Sequence, residues 1–160
     1  MTRAAAAEVP GILWIVQICK RAHIRLVPDI LVIFGDNIQQ KGYEGQAKEC
    51  RGEPNALGIS TKWAPAVDPA AFFDDKDILT AAPVIRAGFA VAQEALLHGQ
   101  DVAYPFSGIG TGLAMLEVKA PKIAAVVHEE YGKLAKAASQ VTNVPNLYIV
   151  ATGRKVILLD

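Results

Sequence analysis

The stretch from residue 31 to residue 61 constrains the fold more than any other part of the chain. Its first four residues, Leu-Val-Ile-Phe, are apolar and suit a β-strand, and they stop abruptly at Gly35-Asp36-Asn37. Gly42 and Gly45 follow, then a short helix-forming segment and a second apolar run at residues 57–61. An apolar run that opens into a polar, glycine-containing turn is typical of a buried strand that leads into a ligand-binding loop.

A second loop has the same organisation. An apolar run at residues 102–104 precedes Pro105-Phe106-Ser107-Gly108-Ile109-Gly110-Thr111-Gly112, and a helical pattern begins near Leu113. Three alternating glycines and two hydroxyl residues leave little side chain to pack, so ordering this loop costs conformational entropy. We interpret it as a phosphate-binding loop. Because ligands of open α/β sheets bind beyond the carboxyl ends of the strands, we expect both loops to form one site.

The remaining chain supplies further predicted elements. Apolar runs predict strands at residues 12–18, 30–34, 57–61 and 102–106, and a strand hairpin at 147–151 and 156–159 around a turn at 152–155. Apolar spacing predicts helices at 45–51, at 81–97 and from about residue 120 to 138. Residues 19–27 could form a polar connection, a short helix or an edge strand, and residues 63–77 a surface excursion with a helical turn.

Strands that alternate with helices favour an α/β fold, a three-layer α/β/α sandwich with a mixed, mostly parallel sheet. A length of 160 residues corresponds to a single domain. Residues 1–9 are alanine-rich, and we expect a frayed terminus there.

Charge and cysteine content narrow the classes of partner. Lys and Arg number 16, as do Asp and Glu, so no overall field draws the chain to nucleic acid or an anionic membrane. Cys19 and Cys50 lack metal-ligand spacing, and no secretory signal precedes them. The apolar runs are shorter than the roughly 20 residues that are needed to span a bilayer. We expect a cytoplasmic protein with reduced thiols, no membrane partner, no metal and no cofactor.

Asp36 and Asn37 are the candidates for chemistry. A carboxylate at the end of a strand can accept a hydrogen bond from an adenine amine or a ribose hydroxyl, and an amide can both donate and accept. Capping of the following helix is the alternative, because both residue types favour that position.

The loops also contain candidate anion ligands. Backbone amides in the turn around Lys41, Gly42, Gly45 and Gln46 could bind an anion, although neither a P-loop nor a GxGxxG pattern is present. Arg51 or Lys62 could pair with a phosphate, and a solvated surface charge is an equal alternative for each. The candidate ligand-binding residues are Gly35, Lys41, Gly42, Gly45, Gln46, Arg51, Lys62, Phe106, Ser107, Gly108, Ile109, Gly110, Thr111 and Gly112.

At these two loops the sequence resembles the macro domain, the α/β/α module that binds ADP-ribose. Val-Ile-Phe-Gly-Asp-Asn (32–37), followed by Lys-Gly-Tyr-Glu-Gly-Gln-Ala (41–47), is similar to its first loop, and residues 104–112 are similar to its diphosphate loop. Arg-Gly-Glu-Pro-Asn-Ala (51–56) and Gly-Ile-Ser-Thr-Lys (58–62) resemble motifs of bacterial and phage proteins of this macro-like type.

The resemblance implies roles for individual residues. Asn37 would face the distal ribose, Gly45 and Gln46 the phosphates or ribose, and residues 107–112 the diphosphate. The implied ligand is ADP-ribose or a related nucleotide, free or attached to an ADP-ribosylated macromolecule. A water near Asp36 and Asn37 could hydrolyse ADP-ribosyl groups.

Two alternatives stay open. The same pocket could belong to a sensor or interaction module that binds nucleotide without turnover. Asp36 with Asp74 or Asp75 could instead form a metal-dependent phosphoesterase, although a solvated polar loop explains the acidic residues 74–77 more simply.

Overall fold

Residues 9–153 are described by the computed structural model, and their five strands form a single parallel sheet. The strands are β1 (Leu13–Ile18), β2 (Leu31–Asp36), β3 (Ala56–Ser60), β4 (Val102–Pro105) and β5 (Val141–Asn146). They lie in the order β3-β2-β4-β1-β5, and every pair of neighbours runs parallel.

Helices cover both faces of this sheet. They are α1 (Arg21–Ile24), α2 (Ala47–Cys50), α3 (Ile78–Leu97), α4 (Leu116–Lys119), α5 (Pro121–Ala137) and α6 (Leu147–Thr152), with 3-10 turns at Pro69–Ala71 and Asp75–Asp77. The structure is therefore the α/β/α sandwich expected from the alternation of strands and helices.

Alternating strand residues divide the interior into two cores. Ile33 of β2 and Tyr104 of β4 pack with α3, α4 and α5 in one core, which also contains Phe89. Phe34 follows Ile33 on β2, and Ala103 precedes Tyr104 on β4. Both pack with residues of α1, α2 and α6 in the second core. Successive side chains of a strand point to opposite faces, so these apolar runs, buried on both sides, form the middle layer.

The predicted hairpin near the carboxyl end is wrong. Residues 147–151, predicted as a strand, begin helix α6, because the Asn146 side chain accepts a hydrogen bond from the Ile149 N–H at 3.2 Å and Gly153 ends the helix at a positive φ of 64°. The strand instead precedes this point, as β5. The mixed sheet predicted with the hairpin is replaced by a sheet that is parallel throughout residues 9–153. The strand predicted at 156–159 lies outside the described residues, as does the predicted frayed segment up to residue 8.

Capping contacts of the 3-10 turn Asp75–Asp77, which leads into α3, explain the acidic segment. The Asp74 carboxylate accepts from the Lys76 N–H at 2.8 Å, and the Asp77 carboxylate accepts from the Asp74 N–H at 2.9 Å and from the Trp63 indole at 3.2 Å. Carboxylates at the start of a helix satisfy its free N–H groups and interact favourably with its dipole.

Within residues 9–153, no helix is both long and apolar enough to cross a bilayer.

Candidate functional site

A cavity of the described structure lies between the carboxyl ends of β2 and β4. These strands pair in register only at Leu31↔Val102 and Val32↔Ala103, although β2 continues to Asp36 and β4 to Pro105. Beyond the paired positions the strands separate. The resulting cleft has a volume of about 690 Å³, which is within the size range of small-molecule sites.

The cleft also lies where the chain changes from one face of the sheet to the other. The helix after β2, α2, packs in the core that contains Phe34, whereas the helices after β4 pack in the core that contains Tyr104. Neighbouring strands whose connections leave on opposite faces define a topological switch point, where open α/β sheets bind ligands. The first loop (residues 35–46) and the second loop (residues 105–114) form its two walls.

Asp36 and Arg51 form a buried ion pair in the first wall. Arg51 Nη2 lies 2.5 Å from Asp36 Oδ1, Nη1 lies 3.3 Å from Oδ2, and the two side chains are 13% and 6% exposed. Arg51 also donates from Nε to the Gly42 carbonyl at 2.7 Å and from Nη2 to the Lys41 carbonyl at 3.2 Å. Four of the five guanidinium N–H donors of Arg51 therefore hold the first loop, and one Nη1 hydrogen is left over for a further acceptor.

Asn37 closes the first loop on itself. Its Nδ2 donates to the Lys41 carbonyl at 2.9 Å, and its Oδ1 accepts from the Lys41 N–H at 3.4 Å. Its own N–H donates to Asp36 Oδ1 at 2.8 Å. Asn37 thus positions the turn rather than capping a helix, since α2 begins only at Ala47.

Gln46 connects the two walls. Its Oε1 accepts from the Gly35 N–H at 2.7 Å, and its Nε2 donates to the Gly108 carbonyl at 2.8 Å and lies 3.5 Å from Ser107 Oγ. Gly35 is in β2, and residues 107 and 108 belong to the second loop. One carboxamide therefore sets the width of the cleft at its base.

The second loop presents unused donors. Gly108 and Gly110 adopt positive φ angles of 79° and 76°, conformations that favour glycine. The N–H groups of Gly110, Thr111 and Gly112, which line the cleft, donate to no acceptor among residues 9–153. Consecutive free N–H groups in a glycine-rich turn make a concavity suited to an anion.

Close packing requires glycine at two positions near the cleft. A Cβ on Gly110 would lie 2.4 Å from Leu116 Cδ1, and a Cβ on Gly58 would lie 2.5 Å from Asp36 Oδ2. Gly58 therefore makes room for the buried carboxylate. Gly112 differs, because a Cβ there meets nothing within 4 Å and its φ is not positive.

Lys62 is buried at the edge of the cleft. Its side chain is held by the Ala66 carbonyl, 2.9 Å from Nζ, and by the Phe72 ring, whose centroid is 4.4 Å away. The residue is only 8% exposed, and burial lowers its pKa from the usual lysine value, an effect that Glu44 and Asp68 oppose. Lys119 Nζ lies 4.5 Å from the same ring.

The structure brings most of the predicted residues together. All the candidate catalytic and ligand-binding residues line the cleft except Phe106, Gly108 and Ile109. These three line a second cavity of about 490 Å³ behind the second loop, beside Tyr104, whose pKa is raised by burial. Sequence reasoning gave no site role to Glu44, Thr61, Leu113 or the segment 65–67, which also line the cleft. Of these unpredicted residues, only Leu113 has a signal in the sequence, because it directly follows the predicted second loop. Leu113 is exposed in the structure.

The residues of the phosphoesterase alternative are not assembled. Asp74 caps the turn before α3, Asp75 accepts from the Lys122 N–H at 2.9 Å, and neither lines the cleft with Asp36. Within residues 9–153, no group of three or more His, Cys, Asp or Glu side chains could hold a metal ion.

The fold and the cleft define an α/β sandwich with a ligand-sized site at the carboxyl edge of its parallel sheet. Residues 15–130 match a family of unknown function, DUF7831, and the chain belongs to this family. The match includes both loops of the cleft. Neither the curated proteins nor the solved structures contain a match to this chain.

Proposed function

We propose that the cleft binds ADP-ribose or a related nucleotide through the first and second loops. The observation that supports this most directly is the row of N–H groups at Gly110, Thr111 and Gly112, which have no acceptor among residues 9–153 and belong to residues that line a cavity of about 690 Å³. Free backbone donors suit a diphosphate, and the two walls leave room for a sugar. The resemblance of both loops to macro-domain motifs points to the same ligand.

The polar contacts favour binding without turnover. A general base must reach the proton that it removes, directly or through one water. The Asp36 carboxylate is paired with Arg51 and accepts the Asn37 N–H, while Asn37 is bonded to Lys41. A water that attacks an ADP-ribosyl group would have to share Asp36 or Asn37 with these existing partners. We therefore propose a binding module first, with ADP-ribosyl hydrolase activity as the alternative.

Calorimetric titration of ADP-ribose, with AMP and NAD as comparison ligands, tests the proposal in a chelating buffer. We expect micromolar affinity for ADP-ribose, about −8 kcal/mol. Absence of binding heat from all three nucleotides would overturn the proposal. Incubation with an ADP-ribosylated protein, followed by mass spectrometry, decides between binding alone and hydrolysis.

Gly112→Glu is the matched variant for this titration. It places a carboxylate beside the free N–H groups without steric conflict, so we expect at least a tenfold loss of affinity and little change in unfolding. Gly132→Glu is the control, because Gly132 is exposed in α5 and a Cβ there also meets nothing within 4 Å. Equal affinities for the two variants would place the ligand elsewhere.

A further inference from the structure

Two thiols line the wall of the cleft next to α2. Cys19 follows β1 and is partly buried, Cys50 is the last residue of α2 and is buried, and both border the cavity. They belong to one apolar cluster. We propose that Cys19 and Cys50 form a dithiol modification site, which a peroxide converts to an intramolecular disulfide within the ligand cleft.

Neighbouring hydrogen bonds hold the two segments side by side. The Arg21 N–H donates to Glu49 Oε2 at 2.8 Å, and Arg21 Nη2 donates to the Lys48 carbonyl at 2.9 Å. These contacts join the residue two positions after Cys19 to the residues just before Cys50. The fold therefore holds the chain beside Cys19 against α2, which ends at Cys50, and places both thiols in the same cluster at the cavity wall.

The surroundings give the two thiols different reactivity. The hydrogen bond from Cys50 lowers the pKa of Cys19, against the opposing effects of burial and Glu49. The same hydrogen bond and burial raise the pKa of Cys50. Because the thiolate is the nucleophile, the more accessible Cys19 reacts first and Cys50 resolves the product.

The chemistry needs one peroxide molecule and no metal. The Cys19 thiolate attacks one peroxide oxygen, the O–O bond breaks, and the departing hydroxide takes up a proton to form water, leaving a sulfenic acid. The Cys50 sulfur then attacks the Cys19 sulfur, and the S–O bond breaks. The hydroxide leaves with the Cys50 proton as a second water. Two thiols lose two electrons in total, and the peroxide is reduced to water.

The disulfide would alter the first wall of the cleft. α2 follows Gln46 and precedes Arg51, the side chains that fix the cleft width and the first loop. Drawing the end of α2 toward Cys19 would move both side chains. This consequence for ligand affinity rests on the proposed function, whereas disulfide formation does not.

Treatment of the native protein with hydrogen peroxide tests the site. The chain contains two cysteines, so we expect the number of free thiols to fall from two to zero. Peptide mapping should show a Cys19–Cys50 link and a loss of two hydrogens that dithiothreitol reverses. Retention of both thiols, links between chains, or oxidation of each thiol separately to a sulfinic acid would overturn the proposal.

Single variants test the order of reaction. With a sulfenic-acid trap present, we expect Cys50→Ser to be labelled at Cys19 and Cys19→Ser to be labelled at least tenfold more slowly at Cys50. Equal labelling would contradict the assignment of Cys19 as the nucleophile. Each variant retains one thiol, so the labelling reports on that thiol alone. Thermal unfolding of each variant checks that the fold is intact.

The effect on the cleft is measured separately. We expect peroxide to weaken ADP-ribose binding at least tenfold in the native protein and to leave the affinity of the Cys19→Ser/Cys50→Ser variant unchanged. An unchanged affinity of the linked native protein would show that the disulfide does not reach the binding walls. If the reduced protein binds no nucleotide while the link still forms, the proposed function fails and the dithiol site stands.

Discussion

Gln46 and Gly108 are joined by a hydrogen bond of 2.8 Å that crosses the base of the cleft. The same carboxamide accepts the Gly35 N–H, so it contacts the end of β2 and the loop after β4 at once. Gln46, which was predicted to contact phosphate or ribose, therefore holds the two walls together. Binding of any ligand in the cleft would depend on this contact.

Replacing Gln46 with Ala should disturb both walls. The partly buried Gly35 N–H and Gly108 carbonyl would lose their partner, and an unsatisfied group costs up to about 1–3 kcal/mol when it is fully buried. We expect a loss of this size in the free energy of unfolding, measured in urea, and at least tenfold weaker ADP-ribose binding, measured by calorimetry.

Gln39→Ala is the control for Gln46→Ala. Gln39 is exposed, and its backbone N–H rather than its side chain bonds to Trp63. We expect it to change neither quantity measurably. Identical behaviour of the two variants would mean that the connection between the walls contributes neither to the free energy of unfolding nor to the affinity for ADP-ribose.

Removing Arg51 should leave a buried carboxylate without its partner. Loss of one member of a buried ion pair costs about 3–5 kcal/mol, because the remaining charge is poorly solvated. We expect Arg51→Met to lower the free energy of unfolding by this amount. Asp36→Asn combined with Arg51→Met should cost less than the sum of the single changes.

The exposed pair between Lys76 and Asp74 provides the comparison. Its atoms are 3.9 Å apart, and the Lys76 side chain is 90% exposed. Lys76→Met should cost no more than about 1 kcal/mol, as usual for solvated pairs. If Arg51→Met were equally mild, the Asp36–Arg51 pair would not organise the first loop.

Burial of Lys62 should make stability depend on pH in a defined direction. Its pKa is lowered in the folded state, so between that value and the unfolded value of 10.5 the unfolded chain binds more protons. The contribution of Lys62 to stability is therefore unfavourable at neutral pH, and this penalty is lost as pH rises through the folded pKa toward 10.5.

Comparison of Lys62→Met with the native protein isolates this contribution. We expect the native protein to gain stability relative to the variant between neutral pH and pH 10, as measured by urea unfolding. Lys136→Met, at an exposed position of α5, is the control and should show a constant difference. A constant difference for Lys62→Met as well would contradict the prediction.

The strands and loops of the cleft could be predicted because they depend on local patterns. The sequence runs that form β2 and β4 carry apolar side chains on both faces of the strand, and each run ends at a glycine-containing turn. The same apolar content misled the prediction at residues 147–151. There the structure depends on the Asn146 cap and on Gly153, which together favour a helix over a strand.

The roles of individual polar residues were less accessible to sequence reasoning. Arg51 binds Asp36, which is 15 positions away in the chain, and Gln46 binds Gly108, which is 62 positions away. Neither partner is indicated by spacing: the first contact follows from the path of the chain between β2 and α2, and the second from the position of β2 beside β4. The need for glycine at position 58 likewise follows from the neighbouring strand, where the Asp36 carboxylate lies.

The separation of β2 and β4 has a consequence for how the family can diversify. One wall of the cleft is anchored to the helical layer that contains α2, and the other to the layer that contains α4 and α5. Substitutions in one layer can therefore reshape one wall while the opposite wall keeps its conformation. The shape of the cleft is free to change from one side of the sheet at a time, provided that the carboxamide between the walls is retained.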